Sequence, residues 1–161
     1  MKHTIAVIVN NRPGVLSRVS NLFSRRAFNI ESLAVGTTED ESVSRITLVA
    51  AGDDTVLEQI VKQLYKLIDV IRVYDLPPSS SVERELALIK VAASSNNRSE
   101  IMQIVDIFRG RIVDVSENAV IVEITGDEGK INGIESLLEK FGVKELVRTG
   151  KISMARGPQE G

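Results

Sequence analysis

The feature that most constrains this chain is a repeat carried by its turns. Asn10-Asn11-Arg12 returns as Asn96-Asn97-Arg98, and Gly52-Asp53-Asp54 returns as Gly126-Asp127-Glu128. Each pair occupies the same place between the apolar runs of its half. Those runs follow one order twice: strand, helix, strand, strand, helix, strand. Two tandem βαββαβ units of the ferredoxin-like type, an α+β architecture, are therefore expected.

The periodicities place the elements. Thr4 to Val9 is a near-continuous apolar run with β-branched residues, the pattern of a strand buried on both faces. Val15, Leu16, Val19, Leu22 and Phe23 mark one side of a helix. Phe28 to Val35 and Val43 to Ala50 read as strands around the polar turn "GTTEDES". A second helix opens at Gly52-Asp53-Asp54 with a capping carboxylate, its buried stripe running from Val56 to Leu67 and Ile68. Val70 to Asp75 is a fourth strand. "LPPSSSVER" holds two of the four prolines and reads as a linker. The second half gives strands at Leu86 to Ala92, Arg111 to Val115, Val120 to Thr125 and Val143 to Thr149, the last extending toward Met154. Its helices present Ile101, Ile104, Val105 and Phe108, then Ile131, Ile134, Leu137 and Leu138. The boundaries read as a first domain over 1–76, a linker over 77–84 and a second domain over 85–161.

Two helices cover one face of a four-stranded sheet. A unit of this size is near the limit for a well-filled core, and strands apolar on both alternations need a second cover. Pairing of sheets or edges, within the chain or as a homodimer, is the expected solution.

Composition excludes whole classes. The 161-residue chain has no cysteine, so thiol nucleophiles, thiolate metal sites and disulfides are absent. The net charge is -2 with only four Phe, two Tyr and no Trp, unlike the basic, aromatic surface of a nucleic-acid binder. No apolar run reaches the ~20 residues of a membrane helix, and the N-terminus shows no leader pattern, so a cytoplasmic protein is expected. The single histidine, His3, is expected at the surface or an edge rather than as a catalytic base. No phosphate-binding, nucleophile-elbow or zinc-protease motif occurs. Glu39-Asp40-Glu41 reads as a solvated hairpin tip rather than a cation site. Neither a catalytic nor a metal site is expected.

One stretch carries ligand chemistry. In "NNRPGVL", residues 10 to 16, turn-formers stand between a buried strand and a helix. The first N–H groups of that helix lack intrahelical partners and carry the positive end of the macrodipole. Gly14 permits close approach to the backbone. Asn11 offers an amide donor and a carbonyl acceptor beside that end. A carboxylate on the N–H groups and an ammonium on the asparagine oxygen describe a free amino acid. The same residues also suit a plain strand-to-helix turn, with Asn11 as the cap, and the residues alone leave both readings open.

Residues 10 to 35, "NNRPGVLSRVSNLFSRRAFNIESLAV", resemble the amino-terminal ACT domain of the small regulatory subunit of acetohydroxyacid synthase (acetolactate synthase). "SRITL", "LEQIVKQLYKLIDVIRVYDL", "VERELALIKV" and "IFRGRIVDV" continue the likeness over nearly the whole chain, weakening in residues 116 to 161. The resemblance implies a non-catalytic protein that binds and activates a thiamine-diphosphate-dependent catalytic subunit and confers feedback inhibition by valine. Thiamine diphosphate, Mg and FAD would belong to that partner, leaving no cofactor in this chain. It implies ACT domains paired in a homodimer with valine at their interface. Asn11 and Gly14, with the backbone N–H groups of Val15 and Leu16, would contact valine from one protomer. Asn29 and Ile30 would face it from the other, with Gly36 near the same interface. The alternative is a stand-alone ACT-type amino-acid sensor acting on another enzyme.

Overall fold

A computed structural model describes residues 1–26 and 28–158. The elements are β1 (Lys2–Asn10), α1 (Val15–Arg25), β2 (Ile30–Thr37), β3 (Val43–Ala51), α2 (Asp54–Leu64) and β4 (Val70–Asp75). They continue as β5 (Ser81–Ala92), α3 (Arg98–Ile107), β6 (Arg111–Val115), β7 (Ala119–Gly126), α4 (Glu128–Leu138), β8 (Val143–Arg148) and β9 (Ile152–Ala155). The strand orders are β2-β3-β1-β4 and β6-β7-β5-β8, with β9 paired to β5. Both halves thus have the antiparallel βαββαβ topology that the repeat implies.

The chain divides into two units. The first joins residues 1–83 to the segment from Lys151 onward, and the second is Arg84–Gly150. Residues 77–84, read from sequence as a linker, form a 3-10 turn at Pro78–Ser80 and the opening of β5. The last strand does not extend to Met154 but stops at Arg148, and β9 goes back to the first unit.

In the first unit β1 is central. Ile5, Val7 and Val9 stand on the alternation that packs with Ile46, Leu48 and Ala50 of β3 beneath Val15, Val19, Leu22, Phe23, Ile60 and Leu64 of the helices. The opposite alternation is also buried: Thr4, Ala6, Thr47 and Val49 are each at most 5% exposed. Its cover comes from the returning segment. The Arg45 guanidinium donates to the Ser153 carbonyl at 2.8 Å, and the Lys151 N–H donates to the Ser32 hydroxyl at 2.9 Å. The Thr4 hydroxyl lies 3.3 Å from Glu83. In the second unit Ala87, Ile89 and Val91 of β5 and Val120, Val122 and Ile124 of β7 pack under Ile101, Val105, Ile131, Ile134 and Leu138.

Other differences from the sequence reading have local causes. β2 starts at Ile30 rather than Phe28, because Phe28 turns back onto the core and meets Phe23 edge-on at 6.2 Å between ring centroids. α2 ends at Leu64, so Ile68 leaves the expected stripe and is 92% exposed. Leu16 and Leu137 lie on their helices but outside the buried face.

The two edges of the first sheet differ. On β4, the Val73 N–H that faces away from β1 donates to the Tyr65 hydroxyl at 3.0 Å. A side chain thereby occupies an edge group that a further strand would use. β2, the other edge, exposes Leu33 and Val35.

α2 and α4 begin alike. Asp53 accepts the Val56 N–H at 3.0 Å and Asp127 accepts the Lys130 N–H at 2.9 Å. Replacing either by Ala removes one capping bond, so Asp53→Ala and Asp127→Ala should each destabilise by ~1 kcal/mol. Urea unfolding should show a lower midpoint with an unchanged slope.

Candidate functional site

β1 ends at Asn10 and α1 begins at Val15, so the four residues Asn11 to Gly14 make the turn of interest. Two neighbouring loops fasten it. The Asn11 N–H donates to the Ser42 carbonyl at 2.8 Å, and its side-chain amide donates to the Glu41 carbonyl at 2.9 Å. The Asn10 N–H donates to the Asp69 carbonyl at 2.9 Å. Asn11 therefore does not cap α1. It anchors the turn to the β2–β3 hairpin, and its side-chain oxygen is left for another donor.

The cap position is Gly14, with φ 85° and ψ -6°. That left-handed backbone is costly for any residue with a Cβ, by ~1–2 kcal/mol, which explains the glycine. No side chain caps α1, and its first turn carries no acidic residue. The positive end of the helix is thus not neutralised from within, and Gly14 and Leu16 are exposed beside it. Val15 is buried, and its N–H donates within the turn to the Arg12 carbonyl at 3.4 Å.

The duplicated turn in the second unit is built differently. Its cap, Asn97, has a right-handed backbone, and its side-chain oxygen accepts the Ser94 N–H at 2.8 Å. Glu100 stands in the first turn of α3, and Arg98 donates to the carbonyls of Ser116 and Glu117. Glu100 supplies the acidic first-turn residue that α1 lacks, although no side chain caps α3 either.

Within one chain the structure brings together Asn11, Gly14, Val15 and Leu16, and holds Asn29 and Ile30 apart from them. Asn10 pairs with Val43 at one end of β3, whereas Ile30 pairs with Ala50 seven residues along it. At strand spacing that is ~23 Å. Asn29 is exposed just before β2, its carbonyl accepting the Ala51 N–H, and Ile30 packs partly into the core.

Sequence reasoning missed the carboxylate beneath the turn. Asp69, 4% exposed, lies between α2 and β4. It accepts from Arg18 at 2.5 Å and from the Asn10 side chain at 3.5 Å, with Arg12 at 3.8 Å. The Arg18 hydrogen bond holds its carboxyl below the ordinary range, although burial acts the other way. A single acidic residue in the apolar run "KLIDVIRV" was the only signal. Asp40, at the hairpin tip, is likewise held low by hydrogen bonds from the Ser42 hydroxyl and N–H, a turn-closing role. Among the described residues no three acidic or histidine side chains are grouped to hold a metal. His3 is not at the surface as expected; its side chain is 13% exposed and 3.8 Å from Asp54.

A carboxyl with a lowered folded pKa stabilises above its ordinary value and loses that contribution as pH falls through the folded one. Asp69→Asn should therefore lower the melting temperature at neutral pH. The gap from wild type should close as pH falls below about 3.8. A thermal melt series from pH 7 to pH 2.5 measures this.

Comparison with known proteins places the chain in a family. Residues 5–72 match the model described as the AHAS small subunit-like ACT domain. Residues 84–157 match the model described as the small subunit of acetolactate synthase. The chain is 57% identical over 157 residues to a probable acetolactate synthase small subunit of Archaeoglobus fulgidus, covering 98% of each. It is 52% identical to the acetolactate synthase small subunit of Mycobacterium leprae, covering 98% of this chain and 93% of the other. The crystal structure of the small subunit from Thermotoga maritima superposes with a TM-score of 0.92 at 44% identity, covering 99% of both chains. No helix among the described residues is long and apolar enough to cross a membrane. With both family models and these relatives spanning almost its full length, the chain belongs to the acetolactate synthase small-subunit family, and its first unit is an ACT domain.

Proposed function

We propose that this chain is a non-catalytic regulatory subunit of the cytoplasmic acetolactate synthase holoenzyme, a transferase of branched-chain amino acid biosynthesis. It binds the catalytic subunit, raises its activity and makes it sensitive to valine. The chain supplies no cofactor; thiamine diphosphate, Mg and FAD belong to the catalytic subunit.

The observation that carries the effector site is its division between the two ends of β3. Asn11, Gly14, Val15 and Leu16 lie at the Val43 end, and Asn29 and Ile30 at the Ala50 end. β2 begins at the second end, with Ile30 opposite Ala50, and finishes at the first, with Thr37 opposite Ser44. Antiparallel pairing of β2 with the β2 of a second copy sets the start of one strand beside the end of the other. Asn29 and Ile30 of one protomer then approach the Gly14 turn of its partner, and a homodimer holds two complete sites. The blocked Val73 edge and the apolar β2 edge support pairing there. In each site the helix end takes the carboxylate of valine, and the oxygen of Asn11 accepts from its ammonium.

Valine inhibits by binding more tightly to one arrangement of the dimer, which shifts the holoenzyme toward its less active state. A coupling of ~1–3 kcal/mol provides a useful response.

At ten times its dissociation constant, valine should stabilise the purified chain by ~1.4 kcal/mol. The melting temperature should then rise by roughly 3–6 °C. Asn11→Ala should lose the shift. In the holoenzyme, Gly14→Asp places a carboxylate against that of valine, so inhibition should disappear while activation persists. A Gly14→Asp holoenzyme that stays fully valine-sensitive, or a shift with an unrelated amino acid only, sinks this reading.

A further inference from the structure

Arg18 stands one turn into α1 from Gly14, and its guanidinium has two ends in different surroundings. Nη2 donates to the buried carboxylate of Asp69 at 2.5 Å. Nη1 reaches back over the turn, where it would lie 3.1 Å from a Cβ on Gly14. The space that the absent glycine side chain leaves is therefore bordered by an arginine nitrogen. The side chain is 48% exposed, so a solute reaching Gly14 reaches Nη1 too.

Three further features fix this arrangement. Asp69 also receives the Asn10 side chain, and its backbone carbonyl receives the Asn10 N–H, so one residue ties both flanks of the turn. The Asp69 side chain is 5% exposed, which limits competition from water for Arg18. α1 itself has no acidic residue in its first turn to engage Nη1.

Resting on the reading of this turn as an amino-acid site, we propose that Arg18 is a further binding residue, whose Nη1 donates to the effector carboxylate. Asp69 is the positioning residue that holds Arg18 over Gly14. A planar guanidinium with one nitrogen anchored keeps its other donors in a fixed fork and loses little freedom when it binds a carboxylate. The chemistry selected is that of a free α-carboxylate. The same amino acid as its amide, which has no negative charge, gains only a weaker hydrogen bond from Arg18.

Isothermal titration of the full chain, alone and with the catalytic subunit, with L-valine and with L-valinamide tests this. The wild type should prefer valine. Arg18→Gln should reduce the valine-to-valinamide preference about tenfold or more, the loss expected for one hydrogen bond to a charged group. It should weaken valinamide far less than valine, whereas a general loosening of the turn would weaken both alike. Asp69→Asn should reduce the same preference by a smaller factor, and Arg18→Lys should restore part of it. A wild-type preference in Arg18→Gln, alongside lost binding in Asn11→Ala, overturns this proposal and leaves the amino-acid site standing. Wild-type chain that binds neither compound in either setting overturns both.

Discussion

Burial of β1 on both of its faces is the constraint from which the rest of the first unit follows. Thr4 to Val7 have almost no exposed surface, on either alternation. A two-helix layer satisfies only one side. The other side includes Thr4, Thr47 and Arg45, whose polar groups need partners as well as cover. The Ser153 carbonyl of the returning segment meets Arg45, and Glu83 at the opening of β5 meets Thr4. For that reason a segment more than 100 residues away along the chain belongs to the first unit.

With both faces accounted for, the edges decide what the unit can join. Tyr65 is placed by the last turn of α2 to accept an edge N–H of β4, while β2 keeps an apolar edge. The proposed amino-acid site, split between the ends of β3, would be complete only in a pair. The register of β2 against β3 is therefore as much a part of the proposed site as the side chains are.

The two halves show how a similar sequence can serve different ends. Asn11 and Asn97 occupy equivalent turns. The glycine three residues after Asn11 adopts a left-handed conformation that leaves a helix terminus uncapped, and a buried aspartate draws Arg18 beside it. Asn97 instead bonds its own loop, and Arg98 bonds the next hairpin. The difference lies in where a few hydrogen bonds go, with the same order of secondary structure around them.

The order of elements, the duplication and the two aspartate caps were legible in the sequence, because they depend on period and on residues a few positions apart. The Gly14 turn was legible as a candidate for the same reason, since helix-end chemistry is local. Three things were not: the return of β9 to the first unit, the exposure of Ile68 and the burial of Asp69. Periodicity continues α2 through Ile68, but the chain leaves the helix after Leu64, and the next inward position falls to the aspartate. Whether that carboxylate meets solvent or two arginines depends on a loop packed beneath a turn more than 50 residues earlier. Local pattern determined what the chain forms; long-range packing decided which charges meet and which strands remain free to pair.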